Sequence, residues 1–110
     1  MKFALLLYED DTERVAKRDD DVAVCLAYAD AMEKAGILLG GERLRPAWTA
    51  TTLRAADRGE RVLDGPYAEA KEQLGGFHLI DVPDLDTALA WARRCPTAQR
   101  GRVEVRAIWG

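Results

Sequence analysis

Histidine occurs once in these 110 residues and cysteine twice, and that scarcity excludes much chemistry. His78, Cys25 and Cys95 cannot furnish the three or four ligands of an ordinary protein metal site, so no metal is expected, and no cofactor motif stands in for one. The two cysteines lie far apart with no CxxC spacing and are read as buried, inert thiols of a reducing compartment. No run approaches the ~20 consecutive apolar residues of a membrane span, and MKFALLLYEDD turns acidic too soon for a signal peptide, so it is read as a strand. Basic residues are not in excess: 16 Lys and Arg are interleaved with 19 Asp and Glu, which argues against a nucleic-acid partner. Neither GxGxxG, GxxxxGK[ST] nor GxSxG is present.

What is present is ordinary for a soluble, cytoplasmic protein: 48% apolar and 32% charged residues, enough for one core and one domain over residues 1–110. Residues 2–8, KFALLLY, are apolar on both faces, as in a covered central strand. Residues 9–21 are acid-rich and read as a loop or a frayed helix start. Val22, Cys25, Leu26, Ala29, Met32 and Ala35 then recur at helical spacing up to a stop at Gly36. ILLGGERLR, 37–45, reads as a strand with a bulge at its glycines. Two short strands flank the turn at 57–60 and form a hairpin. GGFHLIDV, 75–82, is a further strand, and Asp84 opens a helix with Leu85, Ala88, Leu89, Ala92 and Cys95 on its apolar face. Trp91 lies off that stripe and reads as a contact edge. RVEVRAIW, 102–109, closes the chain as a strand.

The order β, α, β, inserted hairpin, β, α, β is that of an α+β, ferredoxin-like split βαβ fold. It has a four-stranded antiparallel sheet with its helices on one face. Alternation along the last strand separates Val103, Val105 and Ala107 from Glu104 and Arg106; along residues 77–80 it separates Phe77 and Leu79 from His78 and Ile80. With the more apolar parity packed on the helices, His78, Glu104 and Arg106 are expected on the helix-free face. Apolar side chains on that face call for cover, and a homodimer packing sheet on sheet supplies it, with a pocket between sheet and partner.

The segment RVLDGPYAEAKEQLGGFHLI, 61–80, concentrates the candidate site residues. Asp64-Gly65-Pro66-Tyr67 is a turn signature that reads either as a plain connection or as a rigid mount for a carboxylate able to orient a histidine or accept a proton. Residues 68–74 read as a helical turn or two, with Lys71 and Glu72 paired on the surface or turned inward. Gly75 and Gly76 permit a bulge or close packing. His78 is either a hydrogen-bonded structural residue or the one side chain whose ordinary pKa suits proton transfer near neutrality. In the catalytic reading Asp64 orients or accepts the proton and His78 or Lys71 transfers it, Tyr67, Lys71 and Glu72 line the substrate, and Arg106 holds an anionic group.

Residues 64–77, DGPYAEAKEQLGGF, resemble the YCII-related family, in particular its DGPF-domain branch with the pattern D-G-P-[FY]-x-E-x-K-E-x-x-G-G-[FY]. KFALLLY, ILLGGERL, DLDTALAWARRCP and VEVRAIW extend the likeness over nearly the whole chain. The resemblance implies a dimeric α+β barrel, of the wider group that includes muconolactone isomerase-like enzymes and stress-responsive barrel proteins. It also implies a small-molecule pocket with possible isomerase- or lyase-like acid-base chemistry, in which an Asp and His dyad brings Asp64 forward. A non-catalytic regulatory protein is the alternative it leaves open, through the frequent association of such proteins with extracytoplasmic-function sigma factors.

Overall fold

The computed structural model describes residues 1–55 and 59–110, with the backbone alone for 18–21. Its elements are β1 (Lys2–Glu9), α1 (Asp11–Ala16), α2 (Arg18–Lys34), β2 (Leu38–Arg43), a 3-10 turn (Ala47–Thr49), β3 (Thr51–Arg54), β4 (Arg61–Asp64), β5 (Gln73–Asp81), α3 (Leu85–Arg94), a second 3-10 turn (Pro96–Gln99) and β6 (Arg102–Ala107). The main sheet has the order β2-β5-β1-β6 with every pair antiparallel, the ferredoxin-like arrangement, while β3 and β4 pair only with each other. The turn expected at 57–60 falls partly on 56–58 and lies outside the described residues.

Local chemistry sets the boundaries. Asp10 caps α1 by accepting from Thr12 N, and Asp84 caps α3 by accepting from the backbone N and hydroxyl of Thr87. Gly36, at φ 74°, ends α2, and Ile37 N donates back to Met32 O across that turn. Gly40 and Gly75 sit at the two ladder irregularities, between Leu38 and Gly40 in β2 and opposite Leu7 and Tyr8 in β5.

Phe3 and Leu5 of β1, with Ile80 and Val82, pack against Tyr28 and Met32 of α2 and Ala88, Ala92 and Cys95, so α2 and α3 share one face. Val103 and Val105 join this core from β6. Leu5 lies directly opposite His78 and Phe3 opposite Ile80, and this register corrects the expected placement of His78: it faces the helices. Leu6, paired with Phe77 and Glu104, and Ala4, paired with Leu79 and Arg106, define the helix-free face, so Glu104 and Arg106 stand where the alternation put them. Trp91 is no outer edge: it packs against the core, meets the Tyr28 ring edge-on at 6.4 Å, and its carbonyl accepts from the Tyr28 hydroxyl at 2.7 Å. Arg94 lies over its indole at 4.3 Å.

Candidate functional site

A cavity of about 240 Å³ opens between the first half of α2 and the sheet. Its existence follows from what the sheet lacks there. Gly41, Gly75 and Gly76 lie in neighbouring strands beneath α2, and no side chain rises from them to meet the helix. The space over these glycines is partly used by backbone. A Cβ at Gly76 would lie 2.9 Å from Glu42 O, and one at Gly41 would press on Phe77 O and come within 3.0 Å of His78 Nδ1. Val22, Cys25, Leu26 and Ala29 of α2 line the opposite wall instead of packing into the core. The stripe read from helical spacing thus divides: its first half borders the cavity, and its second half, through Met32 and the unanticipated Tyr28, builds the core.

His78 stands in this cavity, its ring edge-on to Tyr28 at 5.5 Å. Burial lowers its pKa below the ordinary 6.5, because the imidazolium loses hydration there. The ring is therefore neutral near pH 7, the form that accepts a proton. Glu9, Thr97 and Arg100 also border the cavity; the Thr97 hydroxyl donates to Glu9 Oε2 at 2.9 Å and Arg100 lies 3.5 Å from Oε1. Cys25, half-buried, lines the wall, while Cys95 is buried with its thiol pKa raised by burial; neither is in a disulfide.

Beside the cavity is a buried knot. Arg14 donates through Nε and Nη2 to Asp11 Oδ1 at 3.1 and 2.8 Å, and through Nη1 to Leu44 O and Gly75 O at 2.8 and 3.0 Å. Asp11 Oδ2 accepts from Ala47 N at 2.7 Å. One ion pair, 6% and 5% exposed, thereby ties α1, the exit of β2, the bulge of β5 and the 3-10 turn together. Gly75 is required by it, since a Cβ there would lie 3.0 Å from Arg14 Cζ. No spacing in the sequence marks this pair.

The remaining expected site residues are dispersed. Asp64 lies exposed at the end of β4, opposite Thr51 in the separate two-stranded sheet, and no hydrogen bond joins it to His78 or Lys71. Gly65, at φ 105°, and Pro66 follow β4, tied back by Gly65 N to Ala50 O and by Thr52 Oγ1 to Gly65 O. Tyr67 is 91% exposed. Residues 68–74 form no helical turn; Gln73 Nε2 closes the loop onto Ala68 O and Ala70 O. Lys71 and Glu72 border a charged groove with Asp10 and Arg102, and Glu72 pairs with Arg102, not Lys71. Arg106 is held by Glu104 on the helix-free face beside Tyr8, whose pKa is raised by burial and by Glu104. The cavity that His78 borders lies on the helix side of the sheet.

The YCII-related domain matches residues 1–110. The chain belongs to the YCII-related family. An uncharacterized protein of Rhizobium meliloti (strain 1021) is 40% identical over 114 residues, covering 98% of this chain and 92% of that protein. Among solved structures, the 5-chloro-2-hydroxyhydroquinone dehydrochlorinase of Burkholderia phenoliruptrix AC1100, in complex with 2,5-dihydroxybenzoquinone, aligns with a TM-score of 0.56 and 17% identity. That alignment covers 100% of this chain and 94% of the other. The likeness is one of fold: a YCII-related α+β chain with a four-stranded antiparallel sheet. Among the described residues no group of His, Cys, Asp or Glu is placed to hold a metal ion, and no helix is long and apolar enough to cross a membrane.

Proposed function

We propose that this YCII-related chain binds a compact small molecule in the cavity beneath α2 and that neutral His78 removes a proton from it, in isomerase- or lyase-like chemistry. The observation that carries the reading is the chain's single histidine facing a cavity walled by Leu7, Val22, Leu26 and Ala29, with its charged form disfavoured by burial. At about 240 Å³ the space is just below the ~300 Å³ at which ordinary ligand pockets begin, so the occupant is small. The imidazole needs no prior deprotonation at pH 7 to take a proton from a C–H or O–H acid next to a carbonyl. The dehydrochlorinase of like fold, recorded in complex with a small quinone, fits an occupant of this size. Asp64 takes no part within one chain; its place is the hairpin turn.

The functional unit in this reading is a homodimer. Leu6, Phe77 and Leu79 are half-buried on the helix-free face, and a second copy packing sheet on sheet completes their burial. A panel of small enones, lactones and hydroxyquinones, followed through the His78 Cε1–H resonance, tests the site. Saturable shifts with a subset of the panel are expected at His78 and at the neighbouring Tyr28 ring, and in His78→Asn retained shifts at Tyr28 with loss of turnover assign the base. A panel that leaves His78 unmoved refutes the cavity as a binding site.

A further inference from the structure

An acid-base site acting on an organic acid needs a cation for the carboxylate, and the residue expected to supply it, Arg106, points away from the cavity and is neutralised by Glu104. A second hollow answers that need. It is lined by Arg43, Leu44, Arg45, Pro46 and Trp48 and shares Arg14 and Arg43 with the wall of the His78 cavity. Arg14 is already engaged, with four of its five N–H donors committed to Asp11, Leu44 O and Gly75 O. Arg43 and Arg45 differ: neither forms an ion pair with any described residue, although the chain is net acidic and Glu42 adjoins one of them. Arg43 ends β2 and Arg45 follows it outside the strand, and both line the same hollow, where no carboxylate of the described residues joins them.

The frame that holds them is rigid. Ala47 N is bound to Asp11, Thr49 N donates to Pro46 O at 2.9 Å and its hydroxyl donates to the same oxygen at 2.7 Å. Leu44 N donates to Gly75 O at 2.9 Å. On this frame Trp48 presents an indole that is 58% exposed, a large apolar surface left in water beside two guanidinium groups. Paired arginines recognise a planar anion and an indole face stacks on an unsaturated body, so the three side chains are suited to one ligand chemistry.

We propose that Arg43, Arg45 and Trp48 form an anion subsite at the edge of the His78 cavity, and that the ligand is a compact unsaturated organic anion. Its charged group meets the two arginines while its reactive end lies toward His78. This rests on the cavity being the binding site. It adds the ligand's charge and the residues that read it.

The test uses the full chain in ¹H–¹⁵N and ¹H–¹³C spectra, with the Trp48 indole N–H assigned through Trp48→Phe and the His78 Cε1–H read alongside. The probes are 4-hydroxybenzoate, its neutral analogue 4-hydroxybenzamide, and phenyl phosphate. The expected result is that 4-hydroxybenzoate moves both resonances with one midpoint, and that the amide binds about tenfold more weakly or worse. Arg43→Gln and Arg45→Gln should each weaken the acid by about tenfold, whereas Arg106→Gln leaves it unchanged. Tighter binding of phenyl phosphate than of the carboxylate also supports the subsite and assigns the anion as a phosphate ester. Equal binding of acid and amide, or no loss in both arginine variants, overturns it. Movement of His78 without Trp48 overturns the subsite and leaves the cavity reading standing. No movement of either at roughly 10 mM probe, well above the ~1 mM of weak ligands, overturns both.

Discussion

Asp11→Ala removes one half of the buried ion pair and strands the other, and the structure sets the size of the effect. Breaking such a pair from one side costs about 3–5 kcal/mol, because the remaining charge stays dehydrated. Arg14 also borders two cavities, through which water can reach its guanidinium, so the lower end, about 3 kcal/mol, applies. Ala47 N loses its acceptor in addition, worth about 1 kcal/mol for a partly buried N–H. The sum, about 4 kcal/mol, is a large share of the 5–15 kcal/mol that holds a typical domain together. In urea, with a slope of about 2 kcal/mol per M for a chain of this size, the midpoint should fall by about 2 M. Asp11→Ala with Arg14→Met should recover part of the loss, since no charge is stranded, but not all of it, since Leu44 O then lacks its Arg14 donor and Gly75 O keeps only Leu44 N. Glu72→Ala, which breaks the exposed pair with Arg102, is the control and should cost under about 1 kcal/mol. An Asp11→Ala protein within about 1 kcal/mol of the parent, or a double variant no more stable than the single one, would refute the argument.

Three further outcomes follow from the same geometry. Because the folded pKa of His78 lies below the ordinary 6.5, the unfolded chain binds its proton first as pH falls. Its contribution to stability is therefore intact above about pH 6.5 and declines below it, and urea midpoints measured down this range should flatten in His78→Asn. Gly75→Ala should destabilise by about 1–3 kcal/mol, because Arg14, fixed by its bonds, cannot yield to the new methyl; a thermal midpoint equal to the parent's speaks against that fit. Leu6→Asp places a charge at the centre of the helix-free face and should shift sedimentation from dimer to monomer, whereas an unchanged sedimentation coefficient removes the sheet-on-sheet arrangement.

The element order was legible because its signals are local: Asp84 at the start of α3, Gly36 at the end of α2, and the glycines at the bulges each act within a turn. The face of His78 was not. Phe77 and Leu79 are at least as apolar as His78 and Ile80, so hydrophobicity along 77–80 does not say which parity meets the helices. Only the pairing of Leu5 with His78 and of Phe3 with Ile80 decides it, and register is a long-range property. The knot of Asp11 and Arg14 escaped for a different reason. Residues 9–21 look like a solvated acidic stretch, and nothing local reveals that two of its charges are buried against carbonyls from residues 44 and 75. Asp64 and His78 sit fourteen positions apart in a segment that reads as continuous, yet the chain leaves one sheet for another between them.

The glycine floor beneath α2 admits two interpretations, a packing defect or a ligand site, and filling it from the helix side separates them. Ala29→Leu replaces a methyl with an isobutyl group on a wall of the cavity without touching Gly41, Gly75 or Gly76, and the space of about 240 Å³ accommodates it. Burying those added carbons against Leu7 and Leu26 should raise stability by about 0.5–2 kcal/mol, the usual return for filling a cavity. Where the cavity is a defect, that gain comes with no other consequence. Where it is the binding site, the same substitution abolishes ligand-induced shifts at His78 while the protein becomes harder to unfold, the trade expected when apolar volume is kept empty for an occupant. A more stable Ala29→Leu protein that still shifts His78 with ligand would place the binding site elsewhere. A protein destabilised by more than about 1 kcal/mol would mean that α2 cannot bear the extra bulk and that the cavity is closed to it.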